Sequence, residues 1–214
     1  MVTPATSRLE RTLWKEGFEL VAGCDEAGRG ALAGPLVAAA VILPFNGRVR
    51  GLRDSKQLTP LARERMFDKV LQIAVARSVV FIENERVDQL GVHHANLVAL
   101  QQAIRGLAVV PDYVLADGFA LPDLSCPSLA VPGGDSVSVS IAAASILAKV
   151  SRDRMMEELD RAHPAYGFFR HKGYATSEHY AALREHGPSP LHRRSFLPVA
   201  DCEEAYGEEA ERRE

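Results

Sequence analysis

Cysteine is scarce: the 214-residue chain has three, Cys24, Cys126 and Cys202, far apart and without a CxxC or Cys/His spacing, which leaves no basis for a disulfide framework or a zinc ribbon. No apolar run is long enough to span a bilayer. The longest, residues 31–43, is broken by Gly34 and Pro35. The first sixteen residues interleave Arg8, Glu10, Arg11, Lys15 and Glu16 with apolar side chains, so they contain no signal-peptide core. These absences predict a soluble, cytoplasmic protein with no membrane partner. There is no internal repeat. There is also no dinucleotide fingerprint, because Gly28 to Gly34 runs GxGxxxG and Pro35 opens a strand rather than a helix.

Nor is there an excess of positive charge. The formal net charge of −3 argues against a polyanionic partner until its location is considered. The last fourteen residues carry −5, leaving +2 on residues 1–200, and residues 170–194 hold five Lys/Arg, two Glu and four His, a modest basic footprint that could meet phosphates. With 47% hydrophobic residues the chain can bury a substantial core. The expected organisation is an N-terminal extension over 1–16, one domain over 17–200, and an acidic, poorly ordered tail over 201–214.

Within the domain, apolar residues 18–24 read as a buried strand running into Asp25 and Glu26, and residues 35–43 as a second strand. The glycine turn between them suggests an antiparallel pair. Thr59-Pro60 opens an amphipathic helix, residues 77–83 form a strand, and residues 92–107 a second helix. A short strand delivers Asp117-Gly118, another lies around 129–131, and residues 136–163 read as one long helix ending before Pro164. Residues 177–185 form a last short helix, and alternating strands and helices predict an α/β fold.

Four acidic residues stand at the ends of buried segments: Asp25, Glu26, Asp117 and Asp135. Each has a simpler explanation taken singly. Asp25 or Glu26 can be the first solvated residue after a strand, Asp117-Gly118 a turn, and Asp135 a helix N-cap. Together they suit a cluster of carboxylates whose repulsion is offset by divalent cations, and an all-oxygen donor set selects Mg2+ or Mn2+ over zinc. Strand geometry sets a condition. Neighbours on a strand face opposite sides, so Asp25 and Glu26 share a site only if the strand ends or bulges between them.

The motifs Asp25-Glu26-Ala27-Gly28-Arg29-Gly30, Asp54-Ser55-Lys56-Gln57-Leu58, Ala116-Asp117-Gly118 and Gly134-Asp135 occur in order, followed by the helix bearing Ser145, Lys149, Arg152 and Asp153. With His171-Lys172-Gly173-Tyr174 and His192-Arg193-Arg194-Ser195-Phe196, this pattern resembles bacterial ribonuclease HII over roughly residues 23–196. The resemblance implies an α/β ribonuclease H-like fold, a mixed five-stranded sheet flanked by helices with a C-terminal helical extension. It implies a metal site of Asp25, Glu26, Asp117 and Asp135, with Mg2+ or Mn2+ as cofactor. It assigns Gly28, Arg29 and Gly30 to the ribonucleotide 2′-hydroxyl and Tyr174 to stacking on the following deoxyribose, and Lys56 and Lys172 are assigned to backbone phosphates. Ser145 and Lys149 are read as packing or backbone-contact residues, Arg152 and Asp153 as an ion pair, and His171 as a surface or phosphate-contacting residue.

The implied activity is two-metal hydrolysis of RNA in RNA–DNA hybrids and cutting 5′ to single ribonucleotides in duplex DNA, leaving 3′-hydroxyl and 5′-phosphate ends. Such an enzyme would serve primer removal and ribonucleotide excision. Its substrates would be RNA–DNA hybrid and ribonucleotide-containing duplex DNA; a monomer is expected, and a replication clamp is a candidate partner. Two other readings stay open: a DNA-strand-processing nuclease indifferent to the 2′-hydroxyl, and a binding module whose carboxylates hold only a structural ion.

Overall fold

A computed structural model describes residues 5–45 and 58–211. Lys56 and its Asp54-Ser55-Lys56-Gln57 motif lie outside the described residues. The chain divides into two compact units: Met1–Ala27, Val37–Phe81 and Asn96–Ser151 form the first, and Gly28–Leu36, Ile82–Ala95 and Arg152–Glu214 the second.

The first unit is built on a five-stranded sheet. Strands β1 (Val21–Ala27) and β2 (Leu36–Ile42) pair antiparallel in an unbroken register from Ala22 opposite Ile42 to Ala27 opposite Val37. On the other side of β1 lies β4 (Tyr113–Asp117), parallel, and then β5 (Ser128–Val131), parallel again. Strand β3 (Ala76–Ile82) closes the far edge, giving the order β3-β2-β1-β4-β5. Every residue of β2 is buried, as expected of a central strand covered on both faces.

Helix α2 (Pro60–Ile73) is capped by Thr59, whose side chain accepts from the Ala62 N–H at 3.3 Å. Its Phe67 and Val70 join Ala39 and Val41 of β2 and the small-residue half of α5 (Val139–Ala162) in one core cluster. Gly23 allows the start of α5 to lie directly on β1, because a Cβ there would collide with the Ser140 and Ile141 backbone. Helix α1 (Arg8–Lys15) is tied to the same place. Its Leu9, Leu13 and Trp14 pack on Val21, Leu115, Val131 and Ile141. Its buried Glu10 accepts from the Ser138 hydroxyl at 2.5 Å and the Ser140 N–H at 3.0 Å.

The second unit contains α3 (Asn84–Leu90), the beginning of α4 (Val92–Arg105), the charged half of α5, α6 (Phe168–His171), α7 (Ser177–His186) and α8 (Leu197–Glu211). Three elements differ from the sequence reading. Helix α3 precedes α4, the two divided by Gly91 at φ 74°. The single helix expected over 136–163 is a 3-10 turn, Gly134–Ser136, followed by α5, which starts where the Ser138 hydroxyl accepts from the Ile141 N–H at 3.2 Å. Residues 201–211, expected as tail, continue α8. Buried Val199 packs with Leu32 and Leu183, and the Cys202 thiol donates to the Leu183 carbonyl at 3.2 Å. Val199 and Cys202 form an i, i+3 apolar pair that the acidic composition concealed. No described helix is long and apolar enough to cross a membrane.

Candidate functional site

Parallel pairing of Cys24 with Ala116 brings the next residue of each strand, Asp25 and Asp117, to the same end of the sheet. The parallel partner of Asp117 is Val131, after which the chain turns through Gly133, in the left-handed region, into the 3-10 turn bearing Asp135. Asp117 Oδ1 accepts from the Gly134 N–H at 2.7 Å, fixing that turn. One carboxylate oxygen from each of Asp25, Asp117 and Asp135 lies within 4.8 Å of the other two. Asp25 and Asp135 are buried. Asp135 does not cap the following helix, a task that falls to Ser138.

The electrostatics of the cluster are those of a site short of positive charge. Burial, with the charges of Glu26 and Asp117, holds the Asp25 carboxyl well above the usual carboxylate range, opposed by hydrogen bonds from the Ser145 hydroxyl and the Glu26 N–H. Burial and the neighbouring acids likewise push the Cys24 thiol up, which makes it an inert core residue. Three converging oxygens, two of the residues buried, fit a divalent cation. Glu26 is not one of the three. Strand β1 continues without a bulge to Ala27, with Glu26 opposite Ala38, so the condition for Asp25 and Glu26 to share one face is not met. Its charge is felt at the Asp25 carboxyl nonetheless.

In the second unit, the loop that begins at Gly28 is held by two buried arginines. Arg152 donates to the carbonyls of Pro35 (2.9 Å), Ala33 (3.1 Å) and Lys172 (2.9 Å). Arg193 donates to the carbonyls of Gly34 (2.9 Å) and Arg29 (2.9 Å). Gly28 has φ 81°, and a Cβ there would strike the Arg152 guanidinium. Arg29 and Gly30 are exposed. The Tyr174 hydroxyl accepts from the Gly28 N–H at 3.2 Å, and the Arg152 guanidinium lies 5.1 Å from the Tyr174 ring centroid. Tyr174 is therefore joined to the glycine loop by both its hydroxyl and its ring.

A family model for ribonuclease HII matches residues 22–199. The chain belongs to the ribonuclease HII family. The ribonuclease HII of Salinispora arenicola is 56% identical over 194 residues, 90% of this chain and 72% of that protein. Among solved structures, the ribonuclease H2 of Pyrococcus horikoshii OT3 has a TM-score of 0.73 at 26% identity, covering 87% of this chain and 98% of that one. The ribonuclease HII of the PCNA:RNase HII complex from Archaeoglobus fulgidus has a TM-score of 0.70 at 26% identity, covering 81% and 93%. The fold is thus the ribonuclease H-like one, and the protein is a metal-dependent, ribonuclease HII-type endonuclease that cleaves RNA in RNA–DNA hybrids and at ribonucleotides.

Against this family background several side chains stand differently from the sequence reading. Ser145 is not merely a packing residue, since its hydroxyl bonds the Asp25 carboxylate. Arg152 hydrogen-bonds three backbone carbonyls, and Asp153 supplies charge nearby. His171 is buried rather than at the surface, between the Tyr166 carbonyl (2.8 Å) and the Gly173 N–H (3.2 Å). The Lys172 ammonium is engaged inside the protein, with Glu157 at 2.7 Å and the Phe169 carbonyl at 2.7 Å. Glu10, His179, His192 and Arg193 escaped the sequence reading as organising groups. Their partners lie far off in sequence or on the backbone, and only an Arg-Arg or an isolated His hints at them.

Proposed function

We propose that this ribonuclease HII hydrolyses the phosphodiester 5′ to a ribonucleotide, in duplex DNA or in an RNA–DNA hybrid, with Mg2+ or Mn2+ held by Asp25, Asp117 and Asp135. The observation that carries the reading is the convergence of those three carboxylates within 4.8 Å. Glu26, whose charge reaches Asp25, serves as the fourth acidic group. Asp25, Asp117 and Asp135 would hold the divalent ions, which would supply activation of a water and stabilisation of the leaving 3′ oxygen. The protein's part is positional. The Ser145 hydroxyl and the Glu26 N–H orient the Asp25 carboxylate, and the Gly134 N–H orients Asp117.

Gly28, Arg29 and Gly30 are proposed to read the 2′-hydroxyl through their backbone, the one local group that separates RNA from DNA. Tyr174 is proposed to stack on the next sugar. Lys56 and Lys172 would meet phosphates, Lys172 by exchanging Glu157 for a phosphate oxygen. The protein is proposed to act as a monomer. A replication clamp is the proposed protein partner, supported by likeness to the archaeal enzyme solved with PCNA.

The test is cleavage of a labelled DNA duplex containing one ribonucleotide, beside the same duplex with 2′-deoxy or 2′-O-methyl at that position. A single 5′ cut in the ribonucleotide duplex alone is expected. Equal cutting of the all-DNA control overturns the reading in favour of a strand-processing nuclease.

A further inference from the structure

Behind Tyr174, three histidines are buried in the second unit: His171, His179 and His192. The roles of their ring nitrogens follow from backbone groups that act only one way. The Ser189 N–H can only donate, and it reaches His192 Nδ1 at 2.9 Å, so the proton of neutral His192 sits on Nε2. That N–H faces His179 Nε2 at 2.9 Å, which therefore accepts. The His179 proton is left on Nδ1, where it meets the Tyr174 carbonyl, an obligate acceptor, at 3.0 Å. His171 is fixed by the same logic, donating from Nε2 to the Tyr166 carbonyl and accepting at Nδ1 from the Gly173 N–H.

We propose that His179 is a positioning residue for ribonucleotide recognition: a one-way relay from Ser189 through His192 and His179 fixes the Tyr174 carbonyl, and thereby the ring and hydroxyl that meet Gly28. The proposal rests on the reading that Tyr174 and the glycine loop contact the substrate. Every link is satisfied only with neutral imidazoles. A second proton on His192 would face the Ser189 N–H, and one on His179 would face the His192 N–H, placing donor against donor in a buried site. Burial accordingly lowers the pKa of His179 to about 4 and that of His192 to about 3. The rings also fill space, with His171 stacked on His179 at 4.4 Å and Phe168 edge-on to His179.

Filling space and relaying a hydrogen bond make different demands. A filler needs only volume, whereas the relay needs a donor at the Nδ1 position. The amide nitrogen of Asn occupies that position and that of Gln the Nε2 position, so His179→Asn and His179→Gln separate the two roles. With a one-ribonucleotide duplex and Mn2+, His179→Gln is expected to raise KM about tenfold with kcat changed less than about threefold, the size of one lost hydrogen bond. His179→Asn restores KM to within about threefold of the parent. Because the relay acts through Tyr174, the double variant Tyr174→Ala/His179→Gln should bind no worse than Tyr174→Ala alone. Equal losses for Asn and Gln, or effects that multiply in the double variant, overturn the proposal.

An unchanged KM in Tyr174→Ala would instead sink the reading that Tyr174 meets the substrate. Amide hydrogen exchange then decides the relay by itself. Faster exchange at Gly173 and Tyr174 in His179→Gln but not in His179→Asn upholds the positioning of this backbone, and unchanged exchange in His179→Gln overturns it.

Discussion

At position 25 the sheet buries a carboxylate beside two others, an arrangement that costs stability until a cation arrives. Replacing Asp25, Asp117 or Asp135 by Asn is expected to lower cleavage by on the order of a thousandfold, matching the several kcal/mol that an ion contributes to the transition state. In the presence of a chelator, Asp25→Asn is expected to melt at a higher temperature than the parent. Added Mg2+ should close that gap, and calorimetry with and without the ion checks both signs. The identity of these acids was readable from the sequence, because charge at the end of an apolar strand is conspicuous. Their grouping was not fully so. Asp25 and Glu26 were expected to share a site on the condition that β1 ended or bulged between them; β1 runs on regularly to Ala27, the three converging oxygens come from Asp25, Asp117 and Asp135, and Glu26 acts on Asp25 through its charge. Lys172 shows the same limit: a loop lysine looks free in sequence, and here it is committed to Glu157.

Elements were legible where their periodicity was strong and obscured where a cap or a distant partner decided the outcome. Strands β1, β2 and β4 follow from apolar runs, and α2 from Thr59-Pro60. The break before α5 depends on Ser138 and Gly133, which the apolar pattern does not record. Residues 1–16 read in sequence as an extension beside the domain, because the partners that tie α1 down lie far along the chain. Glu10 reverses that impression by satisfying donors at the first turn of α5, where a carboxylate also suits the helix dipole. Glu10→Ala leaves the Ser138 hydroxyl and the Ser140 N–H unpaired and is expected to cost about 1–3 kcal/mol in urea unfolding. Gly23→Ala meets the Ser140 backbone and is expected to cost a similar amount, roughly 1–3 kcal/mol, through overpacking, and to lower activity by displacing the start of α5.

For the molecule as a whole, the two depressed histidines make stability depend on pH. Unfolded, His179 and His192 titrate near the ordinary imidazole value of 6.5; folded, burial brings them down to about 4 and about 3. The unfolded chain therefore binds more protons between those limits, and stability is present in full above pH 6.5 and lost as pH falls toward 4. A loss of roughly 2 kcal/mol per histidine is expected between about pH 7.5 and about pH 5, measurable by urea unfolding at the two values and smaller in His192→Asn. The reach of Glu10 across 128 positions of sequence has a further consequence, for the chain as it is made. Asp25 leaves the ribosome early and Asp135 late, on the order of ten seconds apart at usual elongation rates. The anchor that completes the acidic cluster's surroundings comes last, at Ser138 and Ser140. A nascent or prematurely released fragment ending before Asp135 has no third carboxylate to gather, so the cluster, and with it the capacity to cut, comes into being only in the later part of synthesis.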